Sequence, residues 1–152
     1  MTTEAYVLTG ATGAVGKVVR GKLKAQGHEV RPVSRGTGVS FDDADAVHAF
    51  SRATGACVMI PFDIKAADLH KWEDEIGLKL AEAIRVAHLE RVVFLSGTSA
   101  HLKSGSSLGA AMMEDFIKGM SFEAQTKTGV YRNAYRPMLS ARTTHSQVNV
   151  RS

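Results

Sequence analysis

The chain has 152 residues, of which 44% are hydrophobic and 22% charged, proportions typical of a soluble globular domain with its own core. No apolar run approaches the ~20 residues that cross a bilayer, and the first residues lack the basic and apolar regions of a secretory signal. The formal net charge is +4, but the basic residues are spread along the chain, so a nucleic-acid surface is only weakly indicated.

The numbers and positions of the cysteine and histidine residues further restrict the class of protein. The single cysteine, Cys57, excludes an internal disulfide framework and suits a reducing cytoplasm. It lies in an apolar segment, so we expect it to pack in the core. The six histidines are scattered without metal-ligand spacing, so no metal site is predicted. We therefore expect a cytoplasmic protein without a membrane anchor or a metal centre.

Strand-like and helix-like segments alternate from the start of the chain. Short apolar segments predict about six strands, at residues 5–9, 28–33, 39–41, 56–60, 91–95 and 130–136. Apolar side chains spaced by three or four residues predict the intervening helices, at residues 14–26, 44–54, 67–87 and 108–124. Gly27 and Gly55 are expected to end the first two helices, and residues 96–107 are expected to form a loop.

This alternation predicts an α/β fold, a doubly wound parallel sheet with helices on both faces. Right-handed connections give the predicted strands the order 3-2-1-4-5-6. Residues 1–138 form one domain in this interpretation, and residues 139–152 form a poorly ordered tail. A ligand is expected at the carboxyl ends of the strands, where the order reverses between the first and the fourth strand.

A glycine-rich turn joins the first strand to the first helix. All seven of its residues are assigned to a cofactor site, and they read Gly10-Ala11-Thr12-Gly13-Ala14-Val15-Gly16. We assign Gly10 to the sharp turn, Gly13 to the close approach of a pyrophosphate, and Gly16 to helix–strand packing. The first N–H groups of the helix and its dipole would hold the phosphates. This context indicates a Rossmann dinucleotide-binding domain; the alternative is a purely structural turn.

The residues after the second strand bear on the choice of dinucleotide. Ser34 and Arg35 stand about 20 residues after the glycine turn, where an acidic residue would bind the free ribose hydroxyls of NAD. A hydroxyl and a guanidinium hydrogen-bond a 2′-phosphate. NADP(H) is therefore the predicted cofactor, with NAD(H) as the alternative. The other interpretation of Arg35 is a solvated loop charge.

Three further segments follow predicted strands and complete the expected site. Asp42 is placed to accept a hydrogen bond from an adenine amino group. Ile60-Pro61 would pass beside the adenosine ribose and the pyrophosphate, and Ser96-Gly97 would lie near the nicotinamide, because ligands bind at the carboxyl ends of the strands. No catalytic residue is assigned.

These features together resemble the atypical short-chain dehydrogenase/reductase superfamily, in particular its NmrA-like members and its NAD(P)H azoreductase-like or quinone-reductase-like members. The matching residues are 7–16, 33–35, 41–42, 45, 92–96 and 136–137. The resemblance covers about residues 5–138 and implies a Rossmann NAD(P)-binding domain.

Two departures from the superfamily bear on function. Active short-chain dehydrogenases usually carry Tyr-x-x-x-Lys, whose lysine lowers the pKa of the tyrosine so that it serves as a general acid. None of Tyr6, Tyr131 and Tyr135 is followed four residues later by a lysine. Relatives also continue beyond the Arg-Pro element into a substrate-binding lobe, which we expect this chain to lack.

Three functions stay open. An NAD(P)H-dependent oxidoreductase would pass hydride to a quinone-like or other electron-poor small molecule without a protein acid, because the cofactor carries the chemistry. A non-enzymatic NADP-sensing regulatory protein, implied by the NmrA resemblance, would bind a protein partner. An inactive, truncated cofactor-binding domain is the third.

The last predicted helix carries an apolar set that a second lobe would cover. Its members are Met112, Met113, Phe116, Ile117, Met120 and Phe122. A patch of this kind is too apolar for open solvent, so we expect the isolated chain either to expose apolar surface or to self-associate as a homo-oligomer.

Overall fold

The computed structural model describes residues 3–34, 44–61, 63, 65–97, 100–104, 108–123 and 127–133. In this part of the chain, five parallel strands form one sheet in the order β2-β1-β3-β4-β5. The strands are β1 (Ala5–Thr9), β2 (Glu29–Val33), β3 (Gly55–Val58), β4 (Arg91–Gly97) and β5 (Lys127–Asn133). The helices are α1 (Ala14–Ala25), α2 (Ala44–Phe50), α3 (Leu69–Ala87) and α4 (Leu108–Glu123).

The doubly wound parallel sheet is confirmed. The observed order corresponds to the second, first, fourth, fifth and sixth predicted strands. The predicted third strand, residues 39–41, lies outside the described residues. The order reverses between β1 and β3, so the crevice expected to hold a ligand opens between the ends of these two strands.

Alternating side chains give the sheet two different faces. On one face Val92 and Phe94 are fully buried in a core shared with α2, α3 and α4. On the other face, where α1 packs on β1 and β2, Val93 is 39% exposed. Cys57 lies in the groove on this second face and is only partly buried, which corrects its assignment to the core. Burial still raises the pKa of its thiol.

Two predicted boundaries were wrong near the site. Ser96 and Gly97, assigned to a loop, are the last residues of β4, because they pair with Arg132 and Asn133 of β5. Gly55, assigned to a helix end, is the first residue of β3. Backbone pairing across a sheet accepts small and polar residues at the sheet's rim, so composition alone places these ends poorly.

The apolar set on α4 is divided between the core and the surface. Met113 is 3% exposed and Ile117 is fully buried, which corrects the prediction of one exposed patch. Their spacing of four residues turns both toward β4 and α3. Met112 is exposed and Phe116 is half-buried, while the side chains of residues 120 and 122 lie outside the described ones.

Among the helices in the described ranges, none is long and apolar enough to cross a membrane.

Candidate functional site

The glycine-rich turn forms a tight connection at the end of β1. The Gly10 N–H donates to the Val33 carbonyl oxygen at 3.1 Å, which holds the turn against the end of β2. The Gly13 N–H donates back to the Gly10 carbonyl at 3.0 Å, and the Lys17 N–H donates to the Gly13 carbonyl at 2.9 Å. The chain thus leaves a buried strand and enters α1 within four residues of Gly10.

The three glycines of the turn meet different constraints. Gly10 has a φ of +66°, and a Cβ there would overlap the sulfur of Met59. A Cβ on Gly16 would overlap the Gly10 carbonyl and stand 2.8 Å from the Ala11 Cα. At Gly13 the nearest atom to an added Cβ is the Gly10 carbonyl oxygen, at 3.4 Å. The fold therefore requires the glycines at 10 and 16 but not the one at 13.

The amino end of α1 is open to an anion. Gly13 is the N-cap, it makes no side-chain capping hydrogen bond, and the first turn carries no acidic residue. Thr12, Ala14 and Val15 around it are exposed. The first N–H groups of a helix lack partners inside the helix, and the dipole adds partial positive charge at this end. Such an end suits a phosphate group.

Thr9 joins the two strands that border the crevice. Its hydroxyl accepts a hydrogen bond from the Met59 N–H at 2.7 Å and donates one to the Met59 carbonyl at 3.1 Å. Sequence reasoning missed this residue. The available signal was a polar side chain at the end of an otherwise apolar strand.

The parallel sheet brings most of the predicted site residues to the side where its strands have their carboxyl ends. Ser34 is buried just after β2 and follows Val33, which accepts from the glycine turn. Ile60 and Pro61 follow β3, and Ser96 and Gly97 end β4. All of these positions lie at the carboxyl ends of their strands. The predicted site residues Arg35 and Asp42 lie outside the described residues.

A cavity of about 220 Å³ opens where β3 and β4 end. Its lining residues are Met59, Ile60, Glu73, Phe94, Leu95, Ser96, Gly97 and Ala110. Two polar side chains in this wall are almost fully buried, Glu73 at 5% exposure and Ser96 at 4%. Within the described part of the chain, neither Glu73 Oε2 nor Ser96 Oγ has a hydrogen-bond partner. Both oxygen atoms are buried within the wall and are not exposed to the cavity.

Glu73 is a second residue that sequence reasoning missed. It stands on α3 among several charged residues and looks like part of a solvated face. Burial raises the pKa of its carboxyl group, and Asp74 adds to that effect. His70 and a hydrogen bond from the Gly109 backbone act in the opposite direction and lower the pKa. The dominant effect of burial favours the uncharged carboxyl group.

Short-chain dehydrogenase/reductase proteins of known structure share this fold. A superfamily member from Agrobacterium tumefaciens, with bound NAD, has 20% identity and a TM-score of 0.70 over 84% of this chain and 48% of that protein. UDP-glucose 4-epimerase from Thermus thermophilus, in complex with NAD, has 21% identity and a TM-score of 0.64 over 84% of this chain and 54% of that protein. Triphenylmethane reductase from Citrobacter sp., complexed with NADP(H), has 16% identity and a TM-score of 0.61 over 86% of this chain and 49% of that protein.

The chain spans about half the length of these proteins. No protein-family model and no curated protein sequence matches it. The structural likeness confirms the fold expected from the resemblance, a doubly wound α/β domain of the Rossmann type.

Proposed function

We propose that this chain binds NADP(H) and acts as an NAD(P)H-dependent oxidoreductase on a quinone-like or other electron-poor small molecule. The proposal depends most on the presence of a glycine at position 13, where the fold does not require one. Its surroundings leave room for a Cβ, so the packing of the turn gives no reason for a glycine there. A pyrophosphate lying on the backbone at this point gives one.

The open amino end of α1 supports the cofactor assignment. The pyrophosphate would lie over Gly13 and the first turn of α1, where N–H groups and the helix dipole favour an anion. Ser34 and Arg35 would contact the 2′-phosphate, and Asp42 would contact the adenine. Structural neighbours were solved with NAD or with NADP(H), so the fold itself accommodates both dinucleotides.

The residues at the ends of β3 and β4 suit the rest of the cofactor. Ile60 and Pro61 would border the adenosine ribose and the pyrophosphate, and Ser96 and Gly97 would border the nicotinamide ring. A bound reduced nicotinamide supplies a hydride. The sequence has no Tyr-x-x-x-Lys pair, so an acceptor that takes hydride without a positioned acid fits best. A neighbour named as a triphenylmethane reductase shares the fold, and this supports reduction of such an acceptor.

A second function rests on the same missing pair. Without a tyrosine and lysine to move a proton, a domain that binds NADP(H) would serve as a sensor whose partner protein responds to the cofactor. Enzyme and sensor share the cofactor site and differ in turnover. An inactive cofactor-binding domain would bind the dinucleotide and do neither.

Calorimetric titration with NADPH, NADP and NAD tests the proposal directly. We expect NADPH and NADP to bind and NAD to bind at least about tenfold more weakly, because a charged hydrogen bond to the 2′-phosphate contributes on that order. Loss of NADPH in the presence of a quinone then separates the enzyme from the sensor. Absence of heat with all three dinucleotides would overturn the assignment.

A further inference from the structure

We propose that the open groove on the second face of the sheet is a docking site for an acidic amphipathic helix of a partner protein. This second-face groove lies between α1 and the strands β3, β4 and β5, and its volume is about 370 Å³. It opens on the flank of the sheet, whereas the proposed cofactor site lies at the carboxyl ends of the strands. The inference goes beyond the proposed function and does not depend on it.

The floor of the groove is formed by side chains from three strands. Val93 and Leu95 of β4 line it, and each has a partner on the same face of the sheet. Cys57 of β3 pairs with Val93, and Tyr131 of β5 pairs with Leu95. Val93 is 39% exposed and Tyr131 is 50% exposed. Because the strands of an all-parallel sheet are normally covered by helices on both faces, an exposed floor of this kind suits a further helix.

One wall of the groove is already a helix. Val15, Val19 and Leu23 of α1 line it, and their spacing of four residues turns them to one side of α1. Val18, beside this stripe, is 58% exposed. In the described part of the chain α1 packs on β1 and β2, while α2, α3 and α4 share the core on the opposite face. A helix laid beside α1 would therefore meet an apolar floor and an apolar wall, as amphipathic helices do in the grooves that bind them.

The charges around the groove favour an acidic helix. Four residues of α1 are basic and none is acidic; the basic ones are Lys17, Arg20, Lys22 and Lys24. Lys22 follows Val18 by four residues and so lies on the groove side of α1. Across the groove, Lys127 of β5 pairs in register with Arg91, which is a lining residue. Arg91 is bonded to Glu4, but within the described part of the chain Lys22 and Lys127 take part in no ion pair.

The same charges disfavour two other occupants. Residues 134–152 follow β5 directly, but they include three arginines and no acidic residue. A second copy that presented the same groove would bring like charges together, which repel each other. A helix that docks antiparallel to the strands, as α1 does, places its carboxyl end near Lys22 and Lys127. The helix dipole and acidic side chains at that end would both be stabilised there.

The test adds two synthetic helical peptides to the full chain without a dinucleotide. Both peptides carry leucines spaced three and four residues apart, and the remaining positions are alanine and glutamate in one and alanine and lysine in the other. NMR titration should show the acidic peptide binding at least about tenfold more tightly, because the rim attracts one and repels the other. Resonances of Val93 and Tyr131 should shift, and added salt should reduce the difference.

Two substitutions in the groove, each with a control, locate the binding. Val93→Asp places a charge on the apolar floor, and Val86→Asp, at a 52% exposed position of α3, is its control. Lys22→Glu reverses a charge on the rim, and Lys71→Glu, at an exposed position of α3, is its control. Both groove variants should weaken binding of the acidic peptide about three- to tenfold or more, and the controls should not. If circular dichroism shows that Val93→Asp does not fold, Tyr131→Asp at the exposed end of the floor replaces it.

Equal affinity for the two peptides would overturn the proposal, and so would full affinity for the acidic peptide in both groove variants. Absence of binding would overturn it as well. Sedimentation would then identify the occupant, because a dimer would assign the groove to a second copy and a monomer would assign it to residues of this chain.

Discussion

The start of α4 lies directly against the carboxyl group of Glu73. A Cβ on Gly109 would stand 2.8 Å from both Glu73 Oε2 and Glu73 Cβ, closer than side-chain carbons come in folded proteins. The glycine lets α4 approach α3 until the carboxyl group is shielded from water. This approach explains why an acidic residue on an outwardly polar helix is buried.

The burial of Glu73 predicts a pH dependence of stability. The pKa of Glu73 is raised in the folded chain, so folding favours the protonated carboxyl group. The free energy of unfolding therefore falls as the pH rises from the usual pKa of 4.5 through the raised pKa. Glu73→Gln keeps an acceptor for Gly109 and lacks the ionisation. Its free energy of unfolding should rise relative to that of the wild type as the pH increases above about 4.5.

Urea unfolding at several pH values measures this difference. Glu75→Gln, at an exposed position of the same helix, controls for the loss of one charge. A gap between Glu73→Gln and wild type that stays constant with pH would contradict the prediction.

The glycine turn predicts opposite results for two substitutions. Gly16→Ala should destabilise the fold by about 1–3 kcal/mol or more, because the new Cβ overlaps backbone atoms. Gly13→Val should cost at most about 1 kcal/mol as an altered N-cap, yet it should abolish dinucleotide binding. Thermal unfolding and calorimetry with NADPH measure the two effects. Unchanged NADPH affinity in a folded Gly13→Val variant would remove the main support for the site.

Cofactor selectivity should depend on Arg35. Arg35→Ala is expected to weaken NADPH binding about tenfold and leave NADH binding nearly unchanged, because only NADPH carries the 2′-phosphate. Lys24→Ala, an exposed cation on α1, controls for the general loss of positive charge. An equal loss of affinity for both cofactors would show that Arg35 does not contact the 2′-phosphate.

The stability of the contact between the ends of β1 and β3 should depend on the hydroxyl of Thr9. Thr9→Val removes two hydrogen bonds to Met59 at nearly constant volume, so we expect a loss of about 1–3 kcal/mol in the free energy of unfolding. Thr128→Val, on β5 at the end of the described strand order, is the comparison. A loss no larger than in that control would mean that water replaces the Thr9 contacts.

Catalysis should be selective for acceptors that need no protein acid. NADPH oxidation should be measurable with a quinone and weak or absent with a simple ketone, because no tyrosine–lysine pair is present to donate a proton. Efficient ketone reduction that survives mutation of Tyr131 and Tyr135 would reveal a catalytic acid elsewhere, and Glu73 would then be the first residue to examine.

The local part of the fold could be predicted from the sequence. The predicted bounds of the first strand match those of β1, and the start of α1 was placed at Ala14. Both follow from neighbouring residues, since an apolar run, a glycine turn and a helical spacing are all short-range patterns. The parallel sheet followed from the same alternation, because right-handed connections restrict the possible orders.

The polar part of the cavity was decided only by tertiary structure. Glu73 is buried because α4 packs on α3 at Gly109, and Ser96 belongs to β4 because β5 pairs with it. Met113 and Ile117 entered the core for the same kind of reason. These outcomes depend on residues distant in sequence, whereas the glycine turn determines its own conformation. The sequence by itself therefore determined the glycine turn and the start of α1, where a phosphate site is predicted, and only the packing of α3, α4 and β4 decided which residues line the neighbouring cavity.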